Sequence, residues 1–341
     1  MYDVIGDVHA YYAELCALFE AMRYRYDPTE HIFIPPYGRK ALFIGDYVDR
    51  GPENKRVVTL ARNMTRKGYA HALMGNHEFN AILWTIKDPY QEGKFLRDHS
   101  SENARLHQTF LDEANTDPEF YEMAIEWFKT LPIYLSHNKR HFVHACWHLE
   151  ALHSLQHSKS VTLDNRLTQK GWMTSARPHS DDLISIETLL KGPEERMASG
   201  LFYRDAHGNR RRRARIAWWQ ENAKTFGEAY SSIPSEDPLV QLPYTPSEPH
   251  ALSQRIREAL QALPQDEKIF IGHIWRDGVP MPLSRSVCCV DYGVAKPSGK
   301  LVAYQDDDHE GFSLANYIWV ERPNPNDLTK FAIVKGGLGP P

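Results

Sequence analysis

Residues 41–52 read Ala41-Leu42-Phe43-Ile44-Gly45-Asp46-Tyr47-Val48-Asp49-Arg50-Gly51-Pro52. A short apolar run ends in Gly-Asp, and a helix is expected after the proline. The same unit lies on either side. Val4-Ile5 leads into Gly6-Asp7, with Leu15, Leu18, Phe19 and Met22 following at helical spacing. Ala70 to Met74 leads into Gly75-Asn76, with helical character from His77 towards Ile86. Short strands alternating with helices predict an α/β layered core.

Further out, residues of about 102–129 read as two helices. Their expected buried positions are Leu106, Phe110, Leu111, Phe120, Ala124, Trp127 and Phe128. The strand pattern resumes at Phe142-Val143-His144-Ala145 and returns at Lys268–Ile271, Val287–Val290 and Leu301–Tyr304. Between them, residues of about 150–262 are polar, rich in charge and proline, and short of sustained periodicity. They predict an insertion or cap that partly covers a site, within one domain spanning 1–341. The tail of about 323–341 carries many Pro and Gly residues and should be extended.

The chain has 341 residues, somewhat more than the roughly 250–300 at which a single core stops growing. Its net charge of −4 argues against nucleic acid as a partner of the whole chain. The run Arg210 to Arg213, with Arg215, reads as a solvated loop; the alternative is an electropositive rim beside an anionic substrate. Trp218-Trp219 reads as a local hydrophobic anchor rather than a stacking platform. No apolar stretch of about 18 residues offers a membrane span. The N-terminus lacks the basic and apolar regions of a signal peptide. Cys16, Cys146, Cys288 and Cys289 form no C-x-x-C pair or disulfide framework, which fits free thiols in a reducing cytoplasm. Nothing in the pattern fixes the oligomeric state.

Five segments place an oxygen or nitrogen ligand directly after an apolar run. They are Gly6-Asp7-Val8-His9, Gly45-Asp46 through Asp49-Arg50-Gly51, Gly75-Asn76-His77-Glu78, Val143-His144 and Gly272-His273. In an α/β sheet such loops gather beyond the carboxyl ends of the strands. Carboxylate, amide and imidazole ligands together suit borderline divalent ions, Mn²⁺ first, with Fe²⁺ or Zn²⁺ as alternatives. Two aspartates, an asparagine and three histidines exceed what one tetrahedral ion needs. Two ions sharing a carboxylate use them economically, and such pairs suit phosphoester hydrolysis.

Gly-Asp-x-His, Gly-Asp-x-Val-Asp-Arg-Gly and Gly-Asn-His-Glu, in this order, resemble the calcineurin-like metallophosphoesterases. The nearest branch is the phosphoprotein phosphatase type, which includes bacterial diadenosine tetraphosphatases. The resemblance implies a four-layer α/β sandwich, two packed mixed sheets flanked by helices. It implies that Asp7 and His9 hold one metal, Asn76, His144 and His273 the other, and that Asp46 bridges. It implies His77 as general acid, oriented by Asp49, with Arg50 gripping phosphate alongside Asn76, and metal-bound hydroxide as the nucleophile. The substrate expected is a phosphate monoester, such as a phosphoprotein; the alternative is a dinucleoside polyphosphate or another phosphodiester or pyrophosphate.

Several positions depart from that pattern. Ala10 replaces a glycine, and Trp275 stands where many metallophosphoesterases carry a further histidine. No second phosphate-gripping arginine is identifiable, with Arg204 and Arg276 as bare candidates. His141 and His148 compete with His144, which is preferred for its place at the end of Phe142-Val143. His71 reads as structural, and Asp291-Tyr292-Gly293 as a packing turn.

Overall fold

A computed structural model describes residues 1–175, 177–205, 208–220, 222–244, 266–307, 309, 311–322 and 331–336. Residues 245–262 of the expected insertion, and 323–330 and 337–341 of the expected tail, lie outside the described residues.

The unit read around Gly45-Asp46 is the middle of a mixed sheet. Strands Tyr2–Ile5, Lys40–Phe43 and Ala70–Ala72 run parallel, and Lys300–Gln305 pairs antiparallel with the first. Tyr317–Glu321 and then Ala332–Lys335, within the expected tail, continue the sheet outward. A second mixed sheet is built on three parallel strands, Arg140–Val143, Lys268–Ile271 and Val287–Cys289, with Tyr134–His137 antiparallel at its edge.

Side-chain alternation shows why the two sheets meet. Leu42 and Ile44 join Val4, Phe142, Phe270 and Val302 in one buried layer between the sheets. Ala41 and Phe43 point the other way, into the layer containing Leu15, Phe19, Val57 and Ala61 from the helices Tyr12–Ala21 and Asn54–Arg66. The expected fold class, a metallophosphoesterase-type α/β sandwich, is the one observed. Cys288 faces the layer between the sheets and Cys289 the opposite side.

The parallel strands of both sheets end at a common edge. Val8 and His9 N–H donate to the Asp46 carbonyl at 3.1 and 2.9 Å, and Gly272 N–H donates to the His144 carbonyl at 2.8 Å. These bonds lock the loops in two pairs, one within each sheet.

Two local readings need correction. The first helix expected within residues 102–129 is two, Ser101–Leu106 and Gln108–Thr116, before Pro118–Lys129. The break falls at His107, which is buried, while Leu106 is exposed instead of buried. The arginine run is not an open loop. Arg210–Arg211 pairs with Tyr203–Arg204, and Arg213–Arg215 pairs with Glu194–Arg196.

The start of the segment 150–262 is helical, with Leu149–His157, Gln169–Thr174 and Asp181–Lys191. Ala145 N–H donates to the Leu189 carbonyl at 2.9 Å, tying the last of these to the strand end beside His144. Further on, Trp218 is fully buried and its indole N–H donates to the Ala145 carbonyl at 3.2 Å. It is an anchor, with no face available for stacking.

Candidate functional site

Asp46 stands where the strand Lys40–Phe43 delivers its loop, and it is almost wholly buried. Its Oδ1 lies 3.3 Å from Nε2 of His144 and accepts from the His77 backbone N–H at 3.0 Å. Its Oδ2 lies 3.7 Å from Nε2 of His9 and 3.9 Å from Nε2 of His77. One carboxylate therefore belongs to two groups of metal-capable atoms, His9-Asp46-His77 and Asp46-His144-His273. Asn76 Oδ1 lies 3.1 Å from His144 Nε2, and Asp7 Oδ2 accepts from His273 N–H at 3.0 Å. All six residues expected around the metals are thus brought together, from loops of both sheets. His141 and His148 lie elsewhere: His141 meets Glu267 at 3.0 Å, and His148 caps the helix Leu149–His157.

The imidazoles are turned inward by backbone carbonyls. Nδ1 of His9 lies 3.1 Å from the Val48 carbonyl, and Nδ1 of His144 lies 2.9 Å from that of Ile44. With Nδ1 as donor, Nε2 of each ring is left facing Asp46 as a lone pair. His9 Nε2, His273 Nε2 and Asp7 Oδ1 are buried without a hydrogen-bond partner. Other buried polar atoms also lack partners, but these three are ligand-type atoms converging on a single site. A mixed O/N donor set of this kind fits divalent cations.

Electrostatics point the same way. Burial, with His77 and Arg50 nearby, lowers His9 to about 3. Burial, with Arg215 and His144 nearby, takes His273 well below its ordinary range. Both rings are neutral, the form that can bind a cation. Burial and the carboxylates of Asp291 and Asp46 push Asp7 well above its ordinary value. Asp46 moves oppositely: burial resists its ionisation, but His144 and His77 outweigh burial. Three carboxylates thus share a buried pocket, a crowding that a bound cation would relieve.

Beside this cluster, His77 Nδ1 lies 2.6 Å from Asp49 Oδ2. Arg50 is exposed at the rim, with its guanidinium 4.4 Å from the centre of the Trp275 ring. A cleft of about 910 Å³ opens above, with Asp46, Asn76, His77 and His273 on its floor and Arg50 and Arg215 in its walls.

The backbone at the site is held in costly conformations. His9, Asp46, Asp49, Arg50 and His273 all have left-handed φ, between 47° and 72°. Such residues cost about 1–2 kcal/mol each in helical context and tend to cluster at functional sites. Two of the motif glycines are fixed by neighbouring carboxylates. A Cβ at Gly75 would stand 2.2 Å from Asp46 Oδ1, and one at Gly272 would stand 2.1 Å from Asp7 Oδ1. Each makes room for a carboxylate from a neighbouring loop.

Some residues of the site carried no readable role in the sequence. Glu78 accepts from the backbone N–H groups of Gly75, Asp46 and Tyr47 at 2.8–3.0 Å and so clamps two ligand loops. Its place in Gly-Asn-His-Glu was its only signal. Asp291, read as a packing turn, is buried and electrostatically coupled to Asp7. Arg215, the last of the arginine run, lines the cleft, whereas Arg204 is turned to the Gly208 carbonyl at 2.8 Å. His107 donates to Asp49 from a helix break that hydrophobic periodicity concealed.

The family profile described as calcineurin-like phosphoesterase matches residues 2–277. A bis(5'-nucleosyl)-tetraphosphatase (asymmetrical) of Geobacillus thermodenitrificans is 41% identical over 75 residues, covering 22% of this chain and 30% of that one. Its counterpart in Bacillus subtilis is 27% identical over 138 residues, covering 40% of this chain and 53% of that one. The chain therefore spans between 30% and 53% of these relatives' length. A solved protein serine/threonine phosphatase from Saccharomyces cerevisiae matches with a TM-score of 0.48 and 15% identity, over 100% of this chain and 81% of that one.

Proposed function

The chain belongs to the calcineurin-like phosphoesterase family, and on that premise we propose that this hydrolase is a dinuclear metal-dependent phosphatase of phosphate monoesters. Asp7 and His9 would hold one divalent cation and Asn76, His144 and His273 the other, with Asp46 shared. When bound, such a pair supplies Lewis-acid activation of water and neutralises charge on the phosphoryl group. The carrying observation is the division of Asp46 between two ligand groups.

Proton transfer falls to His77. Its Nδ1–H donates to Asp49, which leaves Nε2 free to present a proton to the leaving-group oxygen. His77 and His9 are both buried, yet their proton affinities are driven apart: Asp46 and Asp49 raise His77 against burial, while burial lowers His9. That separation fits one acid and one ligand. His144 is also raised against burial, chiefly by Asp46, a contact that a shared cation would replace. Arg50 grips phosphate oxygens with a planar fork of donors, and Arg215 lines the same cleft.

A phosphorylated polypeptide is the substrate we favour. The cleft walls mix both signs, with Glu228, Glu236 and Asp277 beside Arg215, Arg276 and Lys296. A polyanionic nucleotide would be better served by a uniformly basic wall. The second reading, a dinucleoside polyphosphate, is supported by the names of the relatives from Geobacillus and Bacillus. The O/N donor set favours Mn²⁺ as the working ion. Four free cysteines fit a reducing cytoplasm.

Turnover of p-nitrophenyl phosphate with added Mn²⁺, lost in Asp46→Asn and His77→Asn, tests this reading. A folded, metal-loaded protein without turnover would overturn it. Rates on phosphopeptides against diadenosine tetraphosphate decide the substrate class.

A further inference from the structure

Asp49 is approached by two imidazoles. His77 Nδ1 lies 2.6 Å from Oδ2, and His107 Nδ1 lies 2.9 Å from both Oδ1 and Oδ2. His107 is buried, and it occupies the break between the helices Ser101–Leu106 and Gln108–Thr116. Asp49 has further support at its backbone, where its N–H donates to Asn54 Oδ1 at 2.8 Å.

We propose that His107 is a positioning residue for the hydrolytic step, holding the Asp49 carboxylate in the rotation that orients His77. The proposal rests on the reading of His77 as proton donor to the leaving group. An aspartate side chain has broad freedom about its terminal torsion. A donor centred between its two oxygens removes that freedom from the side opposite His77. Burial resists ionisation of Asp49, but the hydrogen bonds from His107 and His77 outweigh it and keep the carboxylate charged. The ring of His107 packs on Trp84 and Phe110, and its hydrogen-bond link to the site runs through Asp49.

The test compares two amides of different reach. In His107→Asn the amide nitrogen falls near the position of Nδ1 and keeps the donor. In His107→Gln it extends to the position of Nε2 and withdraws it. Each variant, with His77→Asn and the double variants, is assayed as the full metal-loaded chain on phenyl phosphate and 2,4-dinitrophenyl phosphate. Phenol is a poor leaving group that needs its proton; dinitrophenol does not.

His107→Gln should lose roughly tenfold or more in kcat on phenyl phosphate, part of the ~10²–10⁴-fold typical of general acid catalysis. Its KM, and its kcat on dinitrophenyl phosphate, should change less than about threefold, small beside that effect. His107→Asn should stay close to the parent on both substrates. In the His77→Asn background, His107→Gln should cost nothing further.

Equal losses on both substrates, or an Asn variant as impaired as the Gln variant, overturn the positioning role. If His77→Asn depends on the leaving group and His107→Gln does not, only His107 is wrongly assigned. If His77→Asn itself shows no such dependence, the reading of His77 falls and the role of His107 falls with it.

Discussion

Nδ1 of His77 stands 2.6 Å from Oδ2 of Asp49, and both side chains are buried at the edge of the Asp46 cluster. Burial disfavours a protonated His77, yet Asp46 and Asp49 outweigh it and raise its proton affinity above the ordinary 6.5. A raised histidine contributes stability in full below that value and loses it as pH rises through the folded-state value. Asp49→Asn should therefore lower the urea midpoint more at about pH 6 than at about pH 9. Asp49 itself, depressed below 3.8, contributes throughout that range and loses its share only under stronger acid. The basic limb of the kcat profile should also move to lower pH in Asp49→Asn. An unchanged limb would separate Asp49 from the catalytic proton.

Gly272 offers a sharper probe of the site than a ligand deletion. Its φ suits any residue, but a Cβ would stand 2.1 Å from Asp7 Oδ1 and 2.7 Å from Ile44 Cγ2. Gly272→Ala should fold and yet displace Asp7. A misplacement of about 1 Å commonly costs ~10²-fold in rate. We expect that loss in kcat/KM together with fewer bound metal ions per chain by elemental analysis. Normal metal content with normal activity would show that Asp7 is not held to its position.

The motif-bearing loops were legible because strand, glycine and ligand are consecutive in sequence. Local periodicity and turn chemistry suffice to find Asp7, Asp46 and Asn76. His107 was not legible, since its value comes from facing Asp49 across 58 residues of sequence. The helix pattern around it gave no sign of the break that turns its ring inward. Arg215 was hidden for a related reason. An arginine run looks uniformly solvated until strand pairing decides that one member faces the cleft. Asp291 follows the strand Val287–Cys289 after Val290, but it comes to Asp7 by crossing to the first sheet, where Asp291–Tyr292 pairs with Lys300–Gln305, the strand that also pairs with Tyr2–Ile5.

Glu78 holds the two loops that carry Asp46 and Asn76. Its carboxylate accepts from three backbone N–H groups. Glu78→Gln places an NH₂ against at least one of those donors. Leaving a buried donor unpaired costs about 1–3 kcal/mol, so the denaturant midpoint should fall accordingly. Metal affinity should weaken by about 10–100-fold, as for other groups that orient ligands. A variant equal to the parent in both measurements would make the clamp irrelevant.

Trp218 ties a segment beyond the helices to the strand end next to His144 through its bond to the Ala145 carbonyl. Trp218→Phe keeps much of the buried ring and removes the indole N–H. About 0.5–1.5 kcal/mol for the bond, and up to about 3 if the carbonyl stays unpaired, should be lost. Trp218→Ala should cost about 3–5 kcal/mol through its cavity. Urea denaturation of the two variants measures each loss, and a Trp218→Phe variant as stable as the parent would mean that the hydrogen bond contributes nothing.

The most direct test is an anomalous-diffraction map of crystals grown with Mn²⁺. Two peaks roughly 3.5–4 Å apart, one on each side of the Asp46 carboxylate, are the predicted result. One should lie against Asp7 and His9, the other against Asn76, His144 and His273. A single peak, or a pair that leaves Asp46 out, would contradict the shared-carboxylate centre.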